Sequence, residues 1–119
     1  MKSPYKTISL ATFLFSTLPA YSAQNSCSTA ETSVLNATSS IIGIPAKDLA
    51  IKSAFSEQAI AGDALDIVEI IMTIEEDLNI EIPDHLIEQK TNSSDVTDLP
   101  HNLTIEMLQE IVTSECSNT

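Results

Sequence analysis

The most regular pattern of apolar and polar residues runs from Asp63 to Asn79. Apolar side chains recur there at intervals of three and four residues, which is the spacing of one helix face. They are Ile67, Ile71, Ile74 and Leu78, widened by Leu65, Val68 and Met72. Asp63 suits the N-cap, since its carboxylate can accept a hydrogen bond from a first-turn amide. The pattern predicts a helix at the centre of a bundle, and four acids remain for its solvent side: Asp66, Glu69, Glu76 and Asp77.

Three weaker patterns predict the rest of an all-α fold. The capping-box sequence Ser28-Thr29-Ala30-Glu31 marks the start of a first helix, and Gly43 marks its end. Asp84 is a candidate cap for a short third helix. A last apolar face is formed by Ile105, Leu108, Ile111 and Val112. We therefore expect a four-helix bundle with a short third helix, a long, partly ordered loop over 44–62 and a polar loop over 91–102.

The first 23 residues have the pattern of a secretory signal peptide. Lys2 and Lys6 form a positive start, the segment from Ile8 to Leu18 is mostly apolar, and Pro19 interrupts it. Small residues follow, and cleavage after Ser22 fits best. A membrane-spanning helix needs roughly 20 apolar residues, more than this run contains. We expect a signal peptide over 1–23, a single domain over 24–119, and a periplasmic or secreted product with no membrane span after cleavage.

Export changes the meaning of the two cysteines, Cys27 and Cys116, which lie near opposite ends of the predicted domain. Thiols pair in oxidising compartments, so a disulfide is favoured over two free thiols. Neither cysteine has a CxxC partner or a histidine at the spacing of a zinc site. In the chain-entropy model, closing a loop of this length stabilises the fold by roughly 4–5 kcal/mol.

Charge excludes several classes of function. The chain has 17 Asp and Glu against 5 Lys and Arg, and its formal net charge is −12. Without Lys2 and Lys6, three lysines face seventeen acids, which gives −14. Nucleic acids and anionic membranes need clustered cations, so neither is an expected partner, whereas a basic protein surface is. His85 and His101 have no nucleophile in their sequence context, and no calcium-loop pattern occurs. We therefore expect that the protein is not an enzyme and that it has neither a cofactor nor a metal site.

The segment from Gly62 to Asp84 reads GDALDIVEIIMTIEEDLNIEIPD. It resembles the second helix of the acyl carrier protein family, which opens with Asp-Ser-Leu-Asp and ends in Glu-Glu before an Ile-Pro-Asp turn. The resemblance implies a four-helix carrier fold whose second helix is recognised by partner enzymes. It also aligns the family's carrier serine, which takes the 4′-phosphopantetheine arm, with Ala64. A methyl group cannot form a phosphodiester, and Ser53 and Ser56 lie upstream, outside the Asp-x-Leu context.

These observations lead to several functional hypotheses. The first is a secreted, non-catalytic protein-interaction module, of inhibitor or immunity type, that binds a basic partner through Asp63, Asp66, Glu69, Glu76 and Asp77. Solvated acids without a docking role are the alternative for those residues. The second hypothesis is a noncovalent carrier of fatty-acid-like ligands. The third is a true acyl carrier that is modified at another residue, against which Ala64 counts.

Overall fold

A computed structural model describes residues 28–118, so the predicted signal peptide, Cys27 and Thr119 lie outside the described residues. Five α-helices form in this part of the chain: α1 Ala30–Ile42, α2 Ala64–Leu78, α3 Asp84–Thr91, α4 Leu99–Asn102 and α5 Ile105–Asn118. Three 3₁₀ turns lie between them, at Ala46–Asp48, Phe55–Glu57 and Val96–Asp98. The described residues contain no β-strand, and an isolated bridge joins Ala54 to Thr104.

The helices pack around one apolar core, and α1 contacts both α2 and α5. The most completely buried large side chains come from every long helix and from two connecting residues: Val34, Phe55, Ile67, Ile70, Ile74, Leu103, Ile105, Leu108 and Val112. All four residues of the predicted last apolar face are buried. The all-α prediction is therefore confirmed, with the short third helix in its expected place and α4 as an addition.

Helix α2 begins and ends where the sequence predicts. The Asp63 side chain accepts a hydrogen bond from the Asp66 amide at 2.9 Å, and Asp66 Oδ2 accepts one from the Asp63 amide at 3.0 Å. This reciprocal arrangement is a capping box, which satisfies two amides that the helix itself leaves unpaired. At the other end, Asn79 adopts a left-handed conformation, with φ 55°. Gly43 closes α1 in the same way, with φ 88°.

The predicted width of the apolar stripe on α2 is wrong. Leu65, Val68 and Met72 do not extend the buried face; they are exposed to solvent. The buried face consists of Ile67, Ile70, Ile74 and Leu78. Seven apolar positions span more of the helix circumference than one packed face covers, so the periodicity alone leaves open which arc faces the core.

Residues 44–62 form a connection that is ordered by hydrogen bonds, and not the partly ordered loop that we predicted. The side chain of Gln58 is buried and accepts a hydrogen bond from the Ala50 amide at 2.9 Å. Its amide group donates to the carbonyls of Ala50, Ser53 and Ala54. Loop backbone also pairs with the start of α5, where the Glu106 amide donates to the Ile51 carbonyl. One buried side chain thus adds to the backbone hydrogen bonds that order this connection.

The polar segment over 91–102 is also more structured than predicted. Helix α3 extends to Thr91 and ends at Asn92, which adopts φ 55°. A 3₁₀ turn and the single helical turn α4 follow, and α4 buries Leu99 and Pro100. Asp84 is the first residue of α3, and the N-cap position belongs to Pro83. The segment therefore closes one side of the bundle beside α2.

Candidate functional site

The start of α2 places Ala64 at a helix N-terminus. Gly62 precedes it in a crowded position, because a Cβ there would lie 3.0 Å from Ile42 Cδ1. Asp63 follows as the N-cap, and Ala64 is the first helical residue, with a partly exposed side chain. Ala64 is the residue that the resemblance aligns with the carrier serine. The position is accessible, but its side chain is a methyl group, which has no oxygen to carry a phosphoryl group.

The solvent side of α2 combines apolar and acidic residues. Leu65 is 65% exposed and Met72 is 60% exposed. Glu69 and Glu76 are also exposed. With spacings of four, three and four residues, these four side chains lie along one line of the helix. We call this line the outer face of α2: Leu65, Glu69, Met72 and Glu76. Exposed apolar side chains flanked by charge are typical of protein-binding surfaces.

The five predicted docking acids do not lie on one face. Glu69 and Glu76 belong to the outer face, whereas Asp63 and Asp66 hold each other's amides in the capping box. Asp77 is exposed on the side toward α1, where Ser33 Oγ donates to its Oδ2 at 3.5 Å. Among the described residues, the carboxylates of Asp63, Asp66 and Asp77 thus accept hydrogen bonds within the fold, whereas those of Glu69 and Glu76 do not. Whether any of the five binds a partner remains a prediction.

A structural acid that we did not predict lies at the end of α2. Glu75 Oε2 accepts a hydrogen bond from the Ile82 amide at 2.8 Å. The Glu75 carbonyl accepts a second one from the Ile80 amide at 3.1 Å. Glu75 therefore fixes the connection between α2 and α3. No local sequence signal marks it, because the paired amides lie beyond the helix end.

A groove opens between α2, α3 and the 91–102 segment, with a volume of about 380 Å³. Its walls are mainly apolar side chains: Ile67, Val68, Ile71, Ile87, Val96 and Leu99. Ser93 and Ser94 also line it. Val68 of α2 belongs to the wall and is exposed. The volume lies within the usual range of ligand pockets, roughly 300–1,000 Å³.

Three acids are among the residues that line the groove, and we call them the rim acids: Asp84, Glu88 and Asp95. Asp84 and Asp95 are exposed and Glu88 is partly exposed, so they lie on the solvent side of the lining. The Asp95 carboxylate accepts hydrogen bonds from the Thr97 amide at 2.9 Å and from Thr97 Oγ1 at 2.8 Å. Donors to the charged form lower the pKa of the Asp95 carboxyl below its usual value, with the backbone amide as the larger cause. Asp95 therefore stays ionised at neutral pH.

Within residues 28–118, no group of three or more His, Cys, Asp or Glu side chains is placed to hold a metal ion. No helix in the same range is both long enough and apolar enough to cross a membrane. Cys116 is 3% exposed on α5, and its predicted bridge to Cys27 stays a prediction because Cys27 lies outside the described residues.

Comparison with known proteins identifies the family. The chain is 40% identical over 55 residues to an acyl carrier protein of Clostridium acetobutylicum, covering 46% of this chain and 70% of the relative. It is 51% identical over 37 residues to an acyl carrier protein of Helicobacter pylori, covering 31% of this chain and 47% of that relative. No solved structure matches significantly. A family model described as phosphopantetheine attachment site matches residues 32–99, which is more than half of the chain. The protein therefore belongs to the phosphopantetheine-attachment, or acyl carrier, family.

Proposed function

We propose that this protein is an exported acyl-carrier-like domain that carries no phosphopantetheine arm and acts by binding a partner protein. The observation that carries the proposal is Ala64 at the first position of α2, directly after the Asp63 cap. Attachment of the arm needs a side-chain oxygen, and Ala64 has none. Ser53 and Ser56, the nearest upstream hydroxyls, belong to the connection before α2 and do not begin that helix.

The outer face of α2 supports the binding role. Leu65 and Met72 offer apolar contact area, and Glu69 and Glu76 alternate with them. Such a surface suits a partner with apolar side chains between lysines or arginines. Apolar contacts at the centre of an interface supply most of its affinity, while the surrounding charges speed association. An inhibitor or immunity-type role is the form that such non-catalytic binding would take.

The proposed export rests on the sequence pattern of residues 1–23. The structure adds one supporting observation, which is that the described residues contain no free cysteine. A Cys27–Cys116 disulfide would be stable in the periplasm or outside the cell. The intact mass of the purified protein tests both points, because cleavage removes the first residues and a bridge removes two hydrogens. Two thiols that alkylate without reductant would contradict the bridge.

The decisive experiment is attempted arm attachment. The purified protein is incubated with coenzyme A and a broad-specificity phosphopantetheinyl transferase, and its intact mass is measured. We expect no change in mass, whereas an ordinary acyl carrier protein in a parallel reaction gains the arm. Ala64→Ser tests the position itself, because it restores Asp-Ser-Leu-Asp, and a gain of mass by this variant shows that the surface still suits the transferase. Arm attachment to the unmodified sequence would overturn the proposal and restore the ordinary acyl carrier function.

A second candidate function is noncovalent carriage of an apolar chain, and the groove between α2 and α3 is the observation that favours it. An apolar groove buries alkyl surface without any covalent attachment. Mass spectrometry of the native protein, followed by solvent extraction, tests this function. A bound amphiphile that is lost on extraction supports it, and a native mass equal to that of the polypeptide contradicts it.

A further inference from the structure

The groove has walls and a mouth of different chemistry. Its walls are apolar, with Ile67 and Ile87 buried and Val68 and Val96 partly open to solvent. The rim acids, Asp84, Glu88 and Asp95, are exposed or partly exposed, and we therefore place the mouth of the groove beside them. This arrangement matches a molecule with an apolar chain and a polar head. The chain gains free energy by leaving water, and the charge at the mouth selects the head.

The charge at the mouth is uniformly negative. The groove-lining residues include no lysine or histidine. Lys90, which is on the same helix as two rim acids, pairs with Glu110 of α5 at 3.5 Å. That pair borders a different surface, formed by α3 and α5. A carboxylate head placed at the mouth would therefore lie beside like charges, without a lysine among the lining residues to compensate.

We propose that the groove binds a single-chain amphiphile with a cationic head group, of the alkylammonium class. The chain lies against Ile67, Ile71 and Ile87, and the head lies beside Asp84 and Glu88. This inference rests on the second candidate function, noncovalent carriage, and names its ligand class. It departs from the fatty-acid-like ligand that the sequence suggested, because a fatty acid has the same sign of charge as the rim.

The test compares three probes at concentrations below micelle formation: decyltrimethylammonium, decanoate and tetramethylammonium. Binding to the purified protein is followed by amide shifts in heteronuclear NMR spectra. We expect decyltrimethylammonium to shift Val68, Ile71, Ile87 and Val96 as a saturating one-to-one complex. Decanoate has the same chain and the opposite charge, and we expect it to bind at least about tenfold more weakly, since neighbouring like charges oppose it. Tetramethylammonium lacks the chain and should leave these amides unshifted.

A matched pair of variants separates the rim from the general acidity of the protein. Asp84→Asn with Glu88→Gln removes two charges at the mouth, and Glu31→Gln with Glu106→Gln removes two exposed charges from α1 and α5. Both variants change the net charge equally. We expect the rim variant to weaken decyltrimethylammonium binding by about threefold to tenfold, since each exposed charge contributes only modestly. The control variant should bind as the parent does.

Each result has a definite meaning. Equal or tighter binding of decanoate overturns the head-group inference but leaves noncovalent carriage standing. Absence of binding by both decyl probes overturns the inference and the carriage function together. If tetramethylammonium shifts the same amides equally, or if both double variants lose decyltrimethylammonium affinity equally, the effect is due to general surface charge. Either result also overturns the inference. None of these outcomes bears on partner binding through the outer face, which is tested separately.

Discussion

The two sides of α2 both carry large apolar side chains, but in opposite environments. On the inner side, Ile67, Ile70 and Ile74 are completely buried. On the outer side, Leu65 and Met72 are more than half exposed and alternate with Glu69 and Glu76. The three buried isoleucines are branched at Cβ, whereas Leu65 and Met72 are not, and they alternate with charged residues. The inner side therefore supplies stability, and the outer side is available for binding.

The largest expected effect is the difference in stability between truncating an apolar side chain on the inner side of α2 and truncating one on the outer side. Ile74→Ala removes a buried side chain and leaves a cavity, so we expect it to lower the free energy of unfolding by roughly 2–5 kcal/mol. Met72→Ala, two residues earlier on the outer side, should change it by less than about 0.5 kcal/mol. Chemical denaturation of both variants measures the difference. Equal losses would show that the outer side is also packed in solution, which would contradict its assignment as a free surface.

The second prediction concerns partner affinity, to which the outer side of α2 should contribute directly. With the partner captured from the exporting host, Leu65→Ala combined with Met72→Ala should weaken binding by about tenfold, because a few residues near the centre of an interface carry most of its binding free energy. Calorimetric titration measures the affinity. Ile60→Ala is the matched control, since Ile60 is 51% exposed but lies in the connection before α2. If the control weakens binding as much as the double variant, the docking surface extends beyond α2 or lies elsewhere.

The third prediction separates the acids of the first turn from those of the outer face. Asp63→Ala removes the carboxylate that accepts from the Asp66 amide at 2.9 Å. Loss of an N-cap lowers stability by about 1 kcal/mol, so the melting temperature should fall. Glu69→Gln removes a charge without a cap and should leave the melting temperature near that of the parent. A stable Asp63→Ala variant would mean that the capping box contributes little in solution.

Much of the fold was predictable because its signals are local. Asp63 as a cap, Gly43 as a stop and the apolar face from Ile105 to Val112 each depend on residues within a few positions of one another. The connection over 44–62 was not predictable, because Gln58 orders it through backbone groups that no periodic pattern identifies. Helical period likewise describes which residues share a face and not which face is buried, so Ile70 was missed.

The candidate site was predictable in part for the same reason. The position of Ala64 follows from the Asp-x-Leu-Asp context, and the exposure of Glu69 and Glu76 follows from their polarity. The groove was not predictable, because its walls come from α2, α3 and the 91–102 segment. The rim acids were missed as a group, since Asp84, Glu88 and Asp95 come together only when that segment closes beside α2. Tertiary proximity, and not residue type, was the missing information.

The smallest expected effect concerns the charges of the outer face alone. Glu69→Gln with Glu76→Gln leaves Leu65 and Met72 in place and removes two exposed charges, so the fold should keep its stability. We expect partner association to slow by about threefold at low salt, and the difference to shrink as ionic strength rises, because exposed charges are screened beyond about 8–10 Å near physiological salt. Stopped-flow or surface-based kinetics at several salt concentrations measures this rate. Glu31→Gln with Glu106→Gln changes the net charge equally but on α1 and α5, so equal slowing by both pairs would assign the attraction to the whole acidic protein. Slowing confined to the Glu69 and Glu76 pair would assign it to the outer face, and with it the direction from which the partner approaches.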